Sequence, residues 1–169
     1  MRRRKTDFDR LIAELDADAK DLSALLEENR RAQGRLDHGA IDRLDWAALG
    51  YTIHNIYGVM ENYCQRIAKF FENGLDSESW HKDLLRRMTL TVGDLRPAFI
   101  DEEAFLLIDE LRSFRHVFRN LYARPLDPAR VGLVQAKVKP AFEAFLEAHE
   151  AYTSKLEAIA QGLEGGKGG

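Results

Sequence analysis

Several features that commonly reveal a protein's class are missing from this 169-residue chain. It has one cysteine, Cys64, so a disulfide within the chain is excluded. No apolar run approaches the ~20 residues that a membrane-spanning helix needs, and no apolar signal segment follows the basic residues at positions 2–5. The sequence therefore predicts a cytoplasmic protein with no membrane partner.

Motifs for metal and cofactor binding are missing as well. The chain contains no H-x-x-x-H, no C-x-x-C and no paired-carboxylate motif, and no glycine-rich loop that would cradle a phosphate. These absences predict no metal site and no cofactor. The net charge is −3, so the chain lacks the overall positive field of many nucleic-acid-binding proteins. Any such role must therefore depend on a local patch.

What the chain does have is helical periodicity. Apolar residues recur three and four positions apart, which predicts helices over about 5–35, 41–73, 79–95, 101–123 and 127–161, with no strand. The sequence thus predicts an all-α, up-and-down bundle of about five helices. It forms one domain over 1–163, followed by a flexible glycine-rich tail over 164–169.

Glycines and a proline punctuate this pattern. Gly34 is predicted to cap the end of the first helix. Gly50 and Gly58 lie inside the second helix, where each costs ~1 kcal/mol relative to alanine, which indicates close packing against a neighbour. The Arg96-Pro97 step is predicted to end the third helix. Cys64 lies toward the apolar side of its helix and is predicted to be a small core residue.

The stretch 112–122, Arg-Ser-Phe-Arg-His-Val-Phe-Arg-Asn-Leu-Tyr, carries the most chemistry. On a helix, Arg112, His116 and Arg119 fall within a narrow arc with Arg115 at its edge, and we call these four residues the basic face. The opposite arc is apolar and contains Leu107, Leu111, Phe114, Val117, Phe118 and Leu121. Few acidic residues accompany the basic face. Guanidinium groups suit phosphate, and a histidine that titrates near neutrality suits proton transfer. The alternative is a solvated helix surface, and the residues alone leave both interpretations open.

The second helix offers a set of partners for the basic face. His54, Tyr57 and Glu61 lie on one arc of that helix, together with Gln65. Glu61 is placed to pair with an arginine of the fourth helix and hold it in position. In the alternative interpretation, Tyr57 is an aromatic residue at the edge of the core and Glu61 is a surface acid.

Three segments together resemble the HepT-like toxins of the HEPN superfamily. They are His54-Asn55-Ile56-Tyr57 with Glu61, then residues 80–85 (Trp-His-Lys-Asp-Leu-Leu), and then residues 114–122. The likeness extends from about residue 44 to 156. It implies a HEPN-like helical fold, a homodimer, and metal-independent endoribonuclease activity on an RNA substrate. It also implies a toxin–antitoxin pair, in which a minimal nucleotidyltransferase silences the toxin by adding AMP.

The resemblance also implies roles for individual residues. His116 moves the proton, and Arg112 and Arg119 stabilise the charge that develops on the phosphate. The residues expected to bind RNA are Arg115, Asn120 and Tyr122, and those expected to support the site are Tyr57 and Glu61. The family's signature places four to six residues between arginine and histidine, often followed by x-Tyr. Here three residues separate Arg112 from His116, and Tyr122 lies six positions beyond His116. The catalytic arginine and the AMP acceptor therefore stay open.

One histidine in the basic face of each chain favours two copies that meet across a dimer axis, one histidine acting as base and one as acid. Two alternatives to an enzyme remain. The first is a non-catalytic HEPN-type module that binds a nucleotide or docks on a nucleotidyltransferase. The second is a structural helical bundle whose basic helix is merely solvated.

Overall fold

The computed structural model describes residues 3–39, 42–72, 80–120 and 125–165. Over these residues the chain forms five α-helices: α1 (Lys5–Asp37), α2 (Arg43–Phe71), α3 (Trp80–Arg87), α4 (Glu102–Arg119) and α5 (Pro128–Gly165). Within the same residues the only β pairing is an isolated bridge between Val92 and Arg96. The predicted all-α bundle is therefore confirmed. None of these helices is both long and apolar enough to cross a membrane. Residues 166–169 of the predicted tail lie outside the described part of the chain.

The long helices are amphipathic and join their apolar sides in one core. Helix α1 packs against α2 and α5, and α4 packs against α2 and α5. The core side of α2 is fully buried and consists of Leu49, Ile53, Ile56, Met60, Tyr63 and Ile67. Two helices of this core begin at an aspartate N-cap: Asp42 accepts from the Leu44 amide, and Asp101 accepts from the Ala104 amide. Cys64 is buried in the core, as predicted.

A polar network crosses the core where α1, α2 and α5 meet. The Asn29 Nδ2 donates to the Thr52 hydroxyl at 2.9 Å and to the Gln135 Oε1 at 2.9 Å, and the Gln135 Nε2 donates back to Asn29 at 2.7 Å. Because Gln135 lies near the start of α5 and Asn29 near the end of α1, these bonds fix the register of the two helices. Buried hydrogen bonds of this kind specify one packing arrangement, whereas the apolar contacts around them are not directional.

Helix α3 ends at Arg87, well before the predicted end near residue 95. The cause is Arg96, whose side chain is fully buried. Its Nε donates to Glu72 at 3.2 Å, and its Nη2 donates to the Arg87 carbonyl at 2.8 Å. A guanidinium group can reach these acceptors only if the chain leaves the helical path after Arg87. A buried cation needs such partners, because its desolvation is costly.

Of the predictions for Gly34, Gly50 and Gly58, the structure confirms only the one for Gly50. Gly34 lies inside α1, which continues to Asp37, so the predicted cap at Gly34 is wrong; the positive φ of 88° falls at Gly39. Gly58 faces open space, so the predicted close packing there is wrong as well. At Gly50 the prediction is confirmed. A Cβ built there would lie 2.8 Å from Leu126 Cδ1 and 3.1 Å from Phe118 Cε2.

Candidate functional site

Helix α4 is rotated relative to the sequence prediction, and this rotation decides where the basic face points. Its buried residues are Ala104, Ile108, Leu111 and Phe114, whereas Val117 is only half-buried. The apolar arc drawn from the sequence omitted Ala104 and Ile108. Because these two residues lie on the side of Arg115, the core side of α4 includes that arginine. Leu121 lies outside the described residues.

Arg115 is consequently held between α4 and α2. Its Nη1 lies 2.8 Å from the Glu61 Oε2, and its guanidinium carbon lies 5.7 Å from the centre of the Tyr57 ring. Its Nε is buried, and no residue within 3–39, 42–72, 80–120 or 125–165 forms a hydrogen bond with it. The ion pair proposed for Glu61 with an arginine of the fourth helix is therefore present. Tyr57 is buried beneath this pair, and burial raises the pKa of its hydroxyl, with Glu61 adding to the effect.

Arg112 is paired within its own helix. Its Nε donates to the Asp109 carboxylate at 2.5 Å, an i,i+3 contact. Two of the three arginines therefore have acidic partners, and the expectation that the basic face has few of them is wrong. The sequence contained the signal for Asp109, which lies one turn before Arg112.

His116 and Arg119 form the outer part of the basic face. Both are exposed, and neither side chain makes an ion pair or a hydrogen bond with any residue in the described part of the chain. Asn120 is the C-cap of α4, and its Nδ2 donates to the His116 carbonyl at 2.8 Å. The side chain of Asn120 thus closes the helix beside His116. Tyr122 lies outside the described residues.

A second histidine, His54, borders the basic face from α2, and the sequence had placed it with Tyr57 and Glu61 among the partners of that face. The His54 ring lies 5.3 Å from the Phe118 ring, measured between centroids. Its Nδ1 is buried and has no hydrogen-bond partner in the part of the chain that the structure describes. Burial lowers the pKa of His54, and the positive charges of Arg115 and Arg119 lower it further. The spacing of His54, Tyr57 and Glu61, at i, i+3 and i+7, placed the three residues on one arc in the sequence, but it did not indicate the contact of His54 with Phe118.

The close contact at Gly50 explains why His54 reaches α4. Because Gly50 has no side chain, the Phe118 ring can approach the backbone of α2 directly. His54 follows Gly50 by one helical turn and therefore lies against the same ring. The end of α4, with Arg119, is thereby held beside α2.

This site is an open surface and differs from the large grooves of the molecule. One groove of about 670 Å³ lies between α1 and α2 and is lined by Arg31, Arg35 and Tyr51 among others. A second of about 670 Å³ lies between α4 and α5, near Asp101 and Lys155. Residues of the basic face line neither groove. Within the described ranges, no three His, Cys, Asp or Glu side chains come together as a metal-binding group. An open face with arginines can accept a phosphate that belongs to a long polymer.

Comparison with known families now bears on this geometry. A family model described as HepT-like protein matches residues 48–156, well over half of the chain. The chain belongs to the HepT-like family of the HEPN superfamily. No curated protein and no solved structure matches it significantly. The matched segment of this HepT-like chain includes Gly50, His54, Glu61 and the whole basic face, whereas α1 lies outside it.

Proposed function

We propose that this HepT-like protein is a metal-independent endoribonuclease and acts as the toxin of a cytoplasmic toxin–antitoxin pair. One observation supports this proposal above the others. In a chain of this family, His116 and Arg119 lie exposed on one face of α4 without partners among the described residues. A phosphate would supply the anion that Arg119 lacks, and His116 would stand next to it.

The proposed reaction is cleavage of RNA by its own 2′-hydroxyl. The 2′ oxygen attacks the adjacent phosphorus and loses its proton to a base, while the bond from phosphorus to the 5′ oxygen breaks and that oxygen receives a proton from an acid. The products are a 2′,3′-cyclic phosphate and a free 5′-hydroxyl. His116 would act in proton transfer, and Arg112 and Arg119 would stabilise the charge on the phosphate. Arg115, held by Glu61 over Tyr57, would offer its remaining donors to the RNA.

The proposed partners follow from the same family. A homodimer would bring two basic faces together, and a minimal nucleotidyltransferase would silence the toxin by adding AMP, with Tyr122 as a candidate acceptor. RNA is the proposed substrate.

The test is cleavage of total RNA by the purified chain in the presence of EDTA, with the ends of the products identified. We expect 2′,3′-cyclic phosphate and 5′-hydroxyl ends. We expect His116→Ala to lower the rate by about 10²–10⁴-fold, the usual contribution of general acid–base catalysis. His38→Ala is the matched control, because His38 is an exposed histidine at the end of α1, away from the basic face. Equal cleavage by wild type and His116→Ala would contradict the proposed role.

A second candidate, a module that binds nucleotide or nucleotidyltransferase without cleaving, is favoured by the pairing of two arginines. Arg112 is held by Asp109 and Arg115 by Glu61, which leaves fewer free charges for catalysis. This alternative predicts that wild type does not cleave RNA, and that Arg119→Ala weakens binding of the nucleotidyltransferase.

A further inference from the structure

We propose that His54 is a second catalytic residue of this site, the base that takes the proton of the 2′-hydroxyl, and that His116 is the acid. This inference rests on the proposed ribonuclease function and adds to it a residue from α2. The sequence argument for two copies began from a single histidine in each basic face. The structure brings a second histidine to the same site within one chain.

The position of His54 leaves one of its ring nitrogens available. Its ring packs on Phe118 at 5.3 Å, and Nδ1 is buried with no hydrogen-bond partner among the described residues. The other nitrogen, Nε2, is not buried, and it makes no hydrogen bond with any residue that the structure describes. Since Nδ1 cannot reach a substrate, Nε2 is the nitrogen that would exchange a proton with one. A half-buried ring fixed on one side is oriented for that purpose.

The charges around His54 come from two helices and favour its neutral form. Arg115 and Arg119 face it from α4, and Glu61 faces it from α2. Burial lowers the pKa of His54 most, the two arginines lower it further, and Glu61 opposes them. Together these effects favour the neutral ring, the form that a base requires.

Arg119 is the basic residue that relates the two histidines. It is close enough to His54 to act on its charge, and it lies one helical turn from His116 on the surface of α4. Side chains three apart on a helix have Cβ atoms about 5–6 Å apart. A phosphate held by Arg119 would thus lie near both histidines, and in-line displacement needs one of them on the side of the 2′ oxygen and the other on the side of the 5′ oxygen.

The proton balance of the step is complete. The 2′-hydroxyl gives its proton to Nε2 of neutral His54 while the bond between the 2′ oxygen and phosphorus forms. The bond from phosphorus to the 5′ oxygen breaks, and protonated His116 gives its proton to that oxygen. Exchange with water then returns both rings to their starting states.

The experiment compares His54→Gln with wild type over pH 4.5–9, using kcat/KM for cleavage of a short RNA, with His38→Gln as the matched control. We expect wild type to lose activity toward low pH with a midpoint below 6.5, because His54 must be unprotonated. We expect His54→Gln to be about 10²–10⁴-fold slower and to lack this acidic limb. An NMR titration of the wild-type imidazoles gives a readout independent of cleavage, and His54 should titrate below 6.5.

Each other outcome overturns the proposal in a distinguishable way. If wild type and His54→Gln cleave equally with the same acidic limb, the role of His54 is wrong and the ribonuclease function stands. If wild type does not cleave RNA at all, both proposals fail together. Should His54→Gln fail to fold, the titration decides, since a His54 ring that titrates at or above 6.5 in wild type is not the base described here.

Discussion

The Arg115–Glu61 pair shows that the surroundings of one side chain differ between the sequence prediction and the structure. In the sequence Arg115 stands at the edge of a basic arc, and in the structure it is only 25% exposed and points to α2. Helical periodicity gives the angle of each residue around the helix axis. Which neighbouring helix covers a given side, however, depends on the tertiary packing. Because Ile108 and Ala104 are buried, the core side of α4 lies closer to Arg115 than the sequence predicted. The pair with Glu61 was predictable from α2, whereas its choice among three arginines was not.

At this scale we predict that Glu61→Gln destabilises the protein by about 1.5–3 kcal/mol, the range for a hydrogen bond to a charged group. The Arg115 Nε already has no partner among the described residues, and the substitution removes the carboxylate that compensates the charge of the guanidinium group. The measurement is urea unfolding followed by circular dichroism. Glu110→Gln is the matched control, since Glu110 is exposed on α4, the helix that carries Arg115. A loss no greater than that of the control would show that the pair is as weak as exposed ion pairs are.

Among the helices, α3 and the spacing between α2 and α4 mark the limit of prediction. The bounds of α1 and α2 agree with the predicted bounds to within a few residues, because long amphipathic helices have a strong periodic pattern in the sequence. The early end of α3 depends on Arg96, a cation whose burial no local pattern indicates. The packing around a glycine is equally hard to predict from the sequence. Gly50 and Gly58 occupy similar positions in the pattern, but of the two only Gly50 closely approaches another helix. The sequence placed His54 among the partners of the basic face, but its contact with Phe118 depends on how α2 and α4 pack.

The two glycines of α2 provide the prediction for the elements. Gly58→Ala should stabilise the protein by up to about 1 kcal/mol, because the new methyl group meets open space and alanine favours the helix. Gly50→Ala should instead destabilise it by about 1–3 kcal/mol through overpacking, since its Cβ would lie 2.8 Å from Leu126 Cδ1 and 3.1 Å from Phe118. It should also slow RNA cleavage, because Phe118 aligns His54 with Arg119.

Thermal unfolding of both variants, with cleavage assays on the folded proteins, measures these effects. Each glycine serves as the control for the other, because both substitutions add the same methyl group to the same helix. Equal shifts in Tm for the two would mean that the close approach at Gly50 carries no energetic cost.

For the whole molecule, the candidate site and the core are continuous through α2. Glu61 holds Arg115 on one side of that helix, and Cys64, three residues later, is buried in the core. Glu72 at the end of the same helix accepts from buried Arg96, and Thr52 near its beginning joins the polar network with α1 and α5. Opening the site by moving α4 away from α2 therefore uncovers core residues as well. Stability and site geometry are properties of one cooperative unit.

Cys64 makes this cooperativity measurable, because it is the only thiol in the chain. It is 1% exposed, and burial raises the pKa of its thiol to about 12, so the native protein presents neither an accessible sulfur nor a thiolate. We predict that a thiol reagent at pH 8 labels native Cys64 at least about 10³-fold more slowly than the urea-unfolded chain, since labelling must wait for opening. Ser154→Cys in a Cys64→Ala background is the control, because Ser154 is exposed on α5 and should label at once.

If opening is global, the free energy from labelling equals that from urea unfolding, and Glu61→Gln lowers both equally. If native Cys64 instead labels as fast as the exposed control, then α2 separates from its neighbours without unfolding, and the core and the site are independent.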